Sequence, residues 1–183
     1  MASLPLSYYG EDVLRAVAEP VRKVTAEIRK VIDQMFDTCA AESGIGLAAP
    51  QVGLSRRIIV CDLSHLDMEP FCLINPAIKR RYGPLETEAE GCLSVPGVFM
   101  DVTRCRDIVV EGRDLKGRLM RLEATELLSR CIQHEVDHLD GRLFVDWVED
   151  REQLASEIEA LQGRLAEIKL TGKREMPQGA FVG

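Results

Sequence analysis

Apolar residues recur at spacings of three and four along one early stretch of the chain. Val21, Val24, Ile28, Ile32, Met35 and Cys39 keep that period, while Arg22, Lys23, Glu27, Arg29 and Lys30 fall largely between them. Such spacing puts the apolar set on one face, so it predicts an amphipathic helix from about Val21 to Cys39, entered after Pro20 and left before Gly44. From Gly44 to Gly53 the texture becomes small, apolar and glycine-rich (GIGLAAPQVG). Short runs rich in β-formers follow at Arg57–Cys61, Phe71–Ile74, Val102–Glu111 and Arg118–Glu123. They predict strands, and Asp114-Leu115-Lys116-Gly117 reads as the hairpin connection between the last two. Leu127, Leu128, Cys131, Ile132 and Leu139 mark a second helix closed by Gly141. A third, highly charged helix spans about Glu149 to Leu170, with Leu154, Ile158, Leu161, Leu165 and Ile168 on one stripe. Helix, several strands, then two helices is an α+β order rather than an alternating βαβ one.

Composition narrows the class. The 183 residues fit one domain with a sizeable core, and no repeat or linker divides them. The expectation is a single unit over 1–183, with a C-terminal helix over about 149–170 and a flexible tail over about 171–183. A formal net charge of -7 argues against a general nucleic-acid or anionic-membrane binder, so no specific DNA binding and no membrane partner are expected. No apolar run approaches the roughly 18–20 residues that cross a bilayer, and MASLPLSYYGEDVLR lacks the basic-then-apolar order of a signal peptide. The six cysteines are scattered through apparent core segments, which reads as a reduced, cytoplasmic protein rather than a disulfide scaffold.

The sharpest chemical signal is Gln133-His134-Glu135-Val136-Asp137-His138. Residues four apart share a helix face, so two imidazoles can chelate one cation, and the adjacent Glu135 sits where a general base belongs. Leu127 and Cys131 fall on the same face and would set an apolar wall beside the ion. The plainer reading is a chance spacing with a salt-bridging glutamate. The remaining histidine, His65, lies in a polar loop segment and reads as solvated.

A catalytic site of this kind needs a third protein ligand and an open position. Downstream, Asp146, Glu149 and Glu152 offer carboxylates, as a general HExxH metallopeptidase would require. Upstream, Glu90-Gly91-Cys92-Leu93-Ser94-Val95-Pro96-Gly97 offers Cys92, which equally fits a buried core thiol. A third possibility is a structural zinc module whose fourth position is closed by Cys131 or Asp137.

Three blocks together, GIGLAAPQ at Gly44–Gln51, EGCLS at Glu90–Ser94 and QHEVDH at Gln133–His138, resemble the signature blocks of the peptide deformylase family in order and spacing. The resemblance runs loosely from about Val13 to Asp146. It implies a compact α+β domain in which short mixed or antiparallel sheets surround a central metal-bearing helix. It implies removal of the formyl group from N-terminal formylmethionine of nascent polypeptides, with release of formate. Carried over, Cys92, His134 and His138 become metal ligands and Glu135 the general acid/base. Gln51 and the Leu93 N–H become oxyanion donors. Gly44, Ile45, Gly46 and Gly91 would contact the peptide, and Ile45, Leu127, Cys131 and His134 would line the methionine pocket. The implied ion is Fe2+, with Zn2+, Ni2+ or Co2+ able to substitute.

The chemistry is coherent with that likeness. A formamide is an unactivated amide, and a divalent cation lowers the pKa of its water from about 15.7 towards about 7. Oxyanion donors are commonly worth about 3–4 kcal/mol each. Two departures from the family pattern stand out. Phe99-Met100 occupy the place where many relatives carry an arginine, the nearest here being Arg104, and Glu86, Glu88 and Glu90 predict an unusually polar pocket rim. Some relatives dock on the ribosome through a basic C-terminal helix; here only the end of that helix is basic, with Arg164, Lys169, Lys173 and Arg174, and the ribosome is the further partner the resemblance implies.

Overall fold

Five strands join in sequence order into one antiparallel sheet: β1 (Gly46–Ala48), β2 (Ile58–Cys61), β3 (Phe71–Cys92), β4 (Val95–Arg113) and β5 (Leu119–Thr125). Among the described residues three α-helices accompany it, α1 (Ala26–Ala41), α2 (Glu126–Leu139) and α3 (Arg151–Thr171). The structure, a computed structural model, describes residues 3–171. The expected tail, with Lys173 and Arg174, falls almost wholly outside the described residues.

β2 shows how the sheet is held. All four of its residues are buried, and successive side chains of a strand point to opposite faces. Ile59 and Cys61 pack with Leu128, Cys131 and Ile132 of α2. Ile58 and Val60 pack with Ile32, Met35 and Cys39 of α1. The strand is therefore apolar on both faces because a helix covers each one. A third cluster joins the tip of the β3–β4 hairpin, through Val95, Val98 and Met100, to Phe144, Val148 and Leu161.

Three elements differ from the sequence reading. α1 starts at Ala26, because the Thr25 hydroxyl accepts a hydrogen bond from the Ile28 N–H at 3.3 Å and caps the first turn. Val21 keeps its place in the core, but its backbone N–H and C=O are both taken by the Asn75 side chain at 2.8 Å. β3 and β4 also run far beyond the short segments expected. Much of β3 beyond Pro76 is exposed and charged, and shifts of register accompany the Pro76 and Gly83-Pro84 interruptions. The predicted hairpin turn stands where expected, with the Asp114 N–H donating to the Arg118 carbonyl at 3.0 Å. α3 begins at Arg151, with Asp150 accepting from the Gln153 N–H at 2.9 Å.

A candidate metal centre

α2 is the unusual element. Its residues Leu128 to Leu139 are all buried, yet seven of them are polar: Ser129, Arg130, Gln133, His134, Glu135, Asp137 and His138. A helix buried on every side is ordinarily apolar on every side, and a buried polar group without a partner is costly. Each of these side chains therefore needs a reason to be there. Gln133 has one: its amide donates to the Cys105 carbonyl at 2.8 Å and to the Ser129 hydroxyl at 3.0 Å. After α2 the chain reverses at Gly141, whose φ is +71° and whose missing Cβ would lie 2.5 Å from the Arg15 carbonyl oxygen. The reversal brings Phe144 back to stack on His134, ring centroids 6.0 Å apart.

The β3–β4 hairpin delivers Cys92 to the same place. Cys92 ends β3, pairs with Val95 across the turn that holds Leu93 and Ser94, and is wholly buried. Its Sγ lies 3.3 Å from His138 Nε2. Ligand atoms of Cys92, His134 and His138 all fall within 4.8 Å of one another, and among the described residues this is the only His/Cys/Asp/Glu group so arranged. The sequence is silent on the distance between two segments more than forty residues apart; the hairpin and the helix close it.

The protonation pattern suits a cation. Burial pushes the Glu90 carboxyl up, but hydrogen bonds from His134 and Arg104 outweigh it and hold the group below the usual carboxylate range. Ionised Glu90 is an acceptor only, so the 2.9 Å contact from its Oε2 to His134 Nδ1 puts the proton on Nδ1. The other ring nitrogen, His134 Nε2, is buried without a hydrogen-bond partner. Burial, with His134 and Arg104 nearby, drives His138 well below its ordinary pKa and keeps that ring neutral. Burial likewise pushes the Cys92 thiol up. A bound cation reverses that penalty, since it favours thiolate directly. Two imidazoles and a sulfur, with an Nε2 that has no protein partner, form a donor set that fits one divalent ion.

Glu135 faces this group with both carboxylate oxygens buried and unpartnered. Burial raises its pKa well above the normal value, with Cys61 and Glu90 adding to the effect. On the other side, Gln51 sits in a 3-10 turn over Ala49–Val52. Its Oε1 accepts from the Ala48 N–H at 2.7 Å, which fixes the amide orientation and turns Nε2 towards Cys92 Sγ at 3.5 Å. The N-terminal strand of chain ties both flanks together: the Ser7 N–H donates to the Gln51 carbonyl at 2.7 Å and the Tyr9 N–H to the Ser94 carbonyl at 2.8 Å. A Cβ on Gly44 would stand 3.0 Å from Leu93 Cδ1, so a larger residue there would need Leu93 to give by a few tenths of an ångström. Ile45 is buried, Gly46 and Gly91 are buried, and Leu127 is half-buried. The Ile45 carbonyl accepts from Cys131 Sγ at 3.6 Å, which joins β1's leading edge to α2.

The alternatives weighed from sequence find little here. Cys131 faces Ile45 and Cys61, and Asp137 accepts from Arg104 at 2.8 Å and from the Trp147 indole at 2.9 Å, so neither closes a fourth position. Asp146 pairs with Arg15 at 2.6 Å, while Glu149 and Glu152 are exposed. His65 is exposed, as expected. One expectation is corrected. Glu90 is no rim residue: it is fully buried beneath the site and bound by Arg104, Arg130 and His134, and only Glu86 and Glu88 reach solvent. Arg104 likewise lies inside this network rather than on a substrate-facing edge. Sequence reasoning passed over Arg130 and Trp147, and it weighed Arg104 and Asp137 only for other roles. The available signal was two charged residues, Arg130 and Asp137, inside a helix whose neighbours predict burial.

A family model described as polypeptide deformylase matches residues 3–154. A peptide deformylase of Hydrogenovibrio crunogenus is 48% identical over 146 residues, covering 80% of this chain and 86% of that protein. Peptide deformylase 2 of Gloeobacter violaceus is 47% identical over 162 residues, covering 86% and 87%. The crystal structure of a peptide deformylase from Synechococcus elongatus in complex with actinonin superposes with a TM-score of 0.84 at 48% identity, covering 88% of this chain and 87% of that one.

Proposed function

This chain belongs to the polypeptide deformylase family, a family of metal-dependent amide hydrolases, and we propose that Cys92, His134 and His138 hold its ion while Glu135, Gln51 and Leu93 perform the proton transfer and oxyanion binding. The reaction is hydrolysis of the N-terminal formamide of formylmethionyl peptides, releasing formate. The observation that carries the assignment is the convergence of the three ligand side chains within 4.8 Å, beside a carboxylate with no other partner.

When bound, the cation supplies Lewis acidity, making water acidic near neutral pH and polarising a carbonyl oxygen. Glu135 takes the proton from the attacking water and returns it to the departing amine. Burial raises its pKa above the ordinary carboxylate value, which strengthens its hold on a proton carried from water to amine. Gln51, locked by Ala48, presents its amide N–H groups to the developing negative charge, with the Leu93 N–H as second donor. The peptide lies along β1, which is an edge strand of the sheet. Gly44, Ile45, Gly46 and Gly91 contact its backbone, and Ile45, Leu127, Cys131 and His134 receive the methionine side chain.

Fe2+ is the ion assigned in the cell, since imidazole and thiolate donors suit iron, zinc, nickel and cobalt alike and the family resemblance favours iron. The six free cysteines, including the Cys61 and Cys131 sulfurs 3.9 Å apart, suit a reducing cytoplasm. No helix among the described residues is long and apolar enough to cross a membrane. The ribosome is the assigned place of work, approached through α3; cosedimentation with ribosomes, lost on truncation after Leu165, supports this, and a protein that stays in the supernatant overturns it.

Purification without oxygen, followed by metal analysis and an assay of formate release from a formyl-Met peptide, tests the assignment. About one ion per chain and release that stops on chelation are expected. Full release from metal-free protein overturns it.

A further inference from the structure

Arg130 stands four residues before His134 on α2, and its side chain is almost wholly buried at 6% exposure. Its Nη1 donates to Glu90 Oε1 at 2.7 Å and to the Val102 carbonyl at 2.9 Å. Its Nη2 donates to the Glu86 carbonyl at 2.9 Å, and its Nε lies 3.1 Å from Glu88 Oε2. One guanidinium thus grips three alternate residues of β3 and one of β4 from the helix that faces them. β3 ends two residues later, at Cys92, and α2 carries His134 and His138. Arg130 therefore bridges the two elements on which the three ligands are divided.

The bridge also shapes Glu90. Oε1 of that carboxylate accepts from Arg104 Nε at 2.5 Å and from Arg130, while Oε2 accepts from Arg104 Nη2 at 2.9 Å and faces His134 Nδ1 at 2.9 Å. With both oxygens held by guanidinium groups, the carboxylate cannot rotate away from the imidazole. We infer that Arg130 is a positioning residue for the metal centre: it sets the spacing between the Cys92 strand and the imidazole helix and locks the carboxylate that orients His134. The inference rests on Cys92, His134 and His138 being the ligands. Its physical content is preorganisation, because ligands already in place lose less conformational freedom when the ion arrives. Partners of metal-bound histidines typically carry about 10- to 100-fold in metal affinity.

Charge and position predict opposite signs for Arg130. If the residue acted only through its positive charge, removing it would strengthen cation binding. If it acts through position, removal weakens binding, and a lysine that keeps the charge but loses the fork also weakens it.

The test uses full-length protein loaded with Co2+, challenged with a competing chelator, and read by affinity and by the visible absorption of the bound cobalt. Arg130→Met and Arg130→Lys should each bind Co2+ about tenfold or more weakly, with shifted ligand-field bands but a retained thiolate-to-cobalt band. Affinities within twofold of the parent in both variants, or tighter binding by Arg130→Met, overturn the inference. Should Arg130→Met fail to fold by circular dichroism, the lysine variant decides by the same limits. Cys92→Ser is the separate check on the ligands themselves: it should lose the thiolate band, and a variant that keeps the band refutes the ligand assignment whatever Arg130 does.

Discussion

α2 and α3 are two helices of one chain built on opposite rules. Twelve consecutive residues of α2 are buried, more than half of them polar, whereas Leu161 is the one buried residue among the twenty-one of α3. α3 follows the ordinary economy of a surface helix: an apolar stripe of Leu154, Ile158, Leu161 and Leu165 meets the β3–β4 hairpin, and charged residues face water. α2 places an arginine, a glutamate, an aspartate and two histidines where stability alone would choose leucine. Desolvating such groups is expensive, and even well-paired buried ions are often no better than apolar residues of the same volume. The contrast teaches that polar burial, more than any single motif, marks the working element of this molecule.

Breaking the comparison at its strongest point means removing a buried polar group that has no structural partner. Glu135→Ala should keep its metal content but lower kcat for formate release by about 100- to 10,000-fold; a parental rate in that variant contradicts the acid/base role. Gln51→Ala removes a neighbouring buried donor and should cost about 100- to 1,000-fold in kcat, checked by steady-state kinetics with metal content measured alongside. Glu90→Gln should weaken metal binding by about 10- to 100-fold and lower stability by about 3–5 kcal/mol, because Arg104 and Arg130 lose their shared anion; chelator competition and denaturant unfolding read the two effects. At the small end, Glu159→Ala on the exposed face of α3 should change stability by no more than about 0.5 kcal/mol and leave kcat untouched.

The same contrast explains what could be read from residues alone. The QHEVDH block declared a helix with two candidate ligands on one face because period and chemistry coincide over six positions. The Asp114–Gly117 turn was legible from local turn chemistry, and Gly117 does adopt the positive φ such a turn requires. β3 was legible only at its apolar start. Beyond Asn75 it runs through Lys79, Arg80 and Arg81 into Glu86 and Glu88, so burial leaves little alternating signature for a pattern to reveal. The first turn of the expected α1 misled because Val21 and Val24 serve the core from the irregular chain ahead of the helix as well as they would from a helix. Glu90 was misread as a rim residue because its partners Arg104, Arg130 and His134 lie 14, 40 and 44 residues away. No local pattern joins them; only the hairpin folding over α2 does.

X-ray absorption at the metal edge of the loaded protein tests the centre most directly. The account predicts one sulfur scatterer at about 2.3 Å and two imidazole nitrogens at about 2.0–2.1 Å, with the sulfur lost in Cys92→Ser. A shell without sulfur, or one with two, would contradict it.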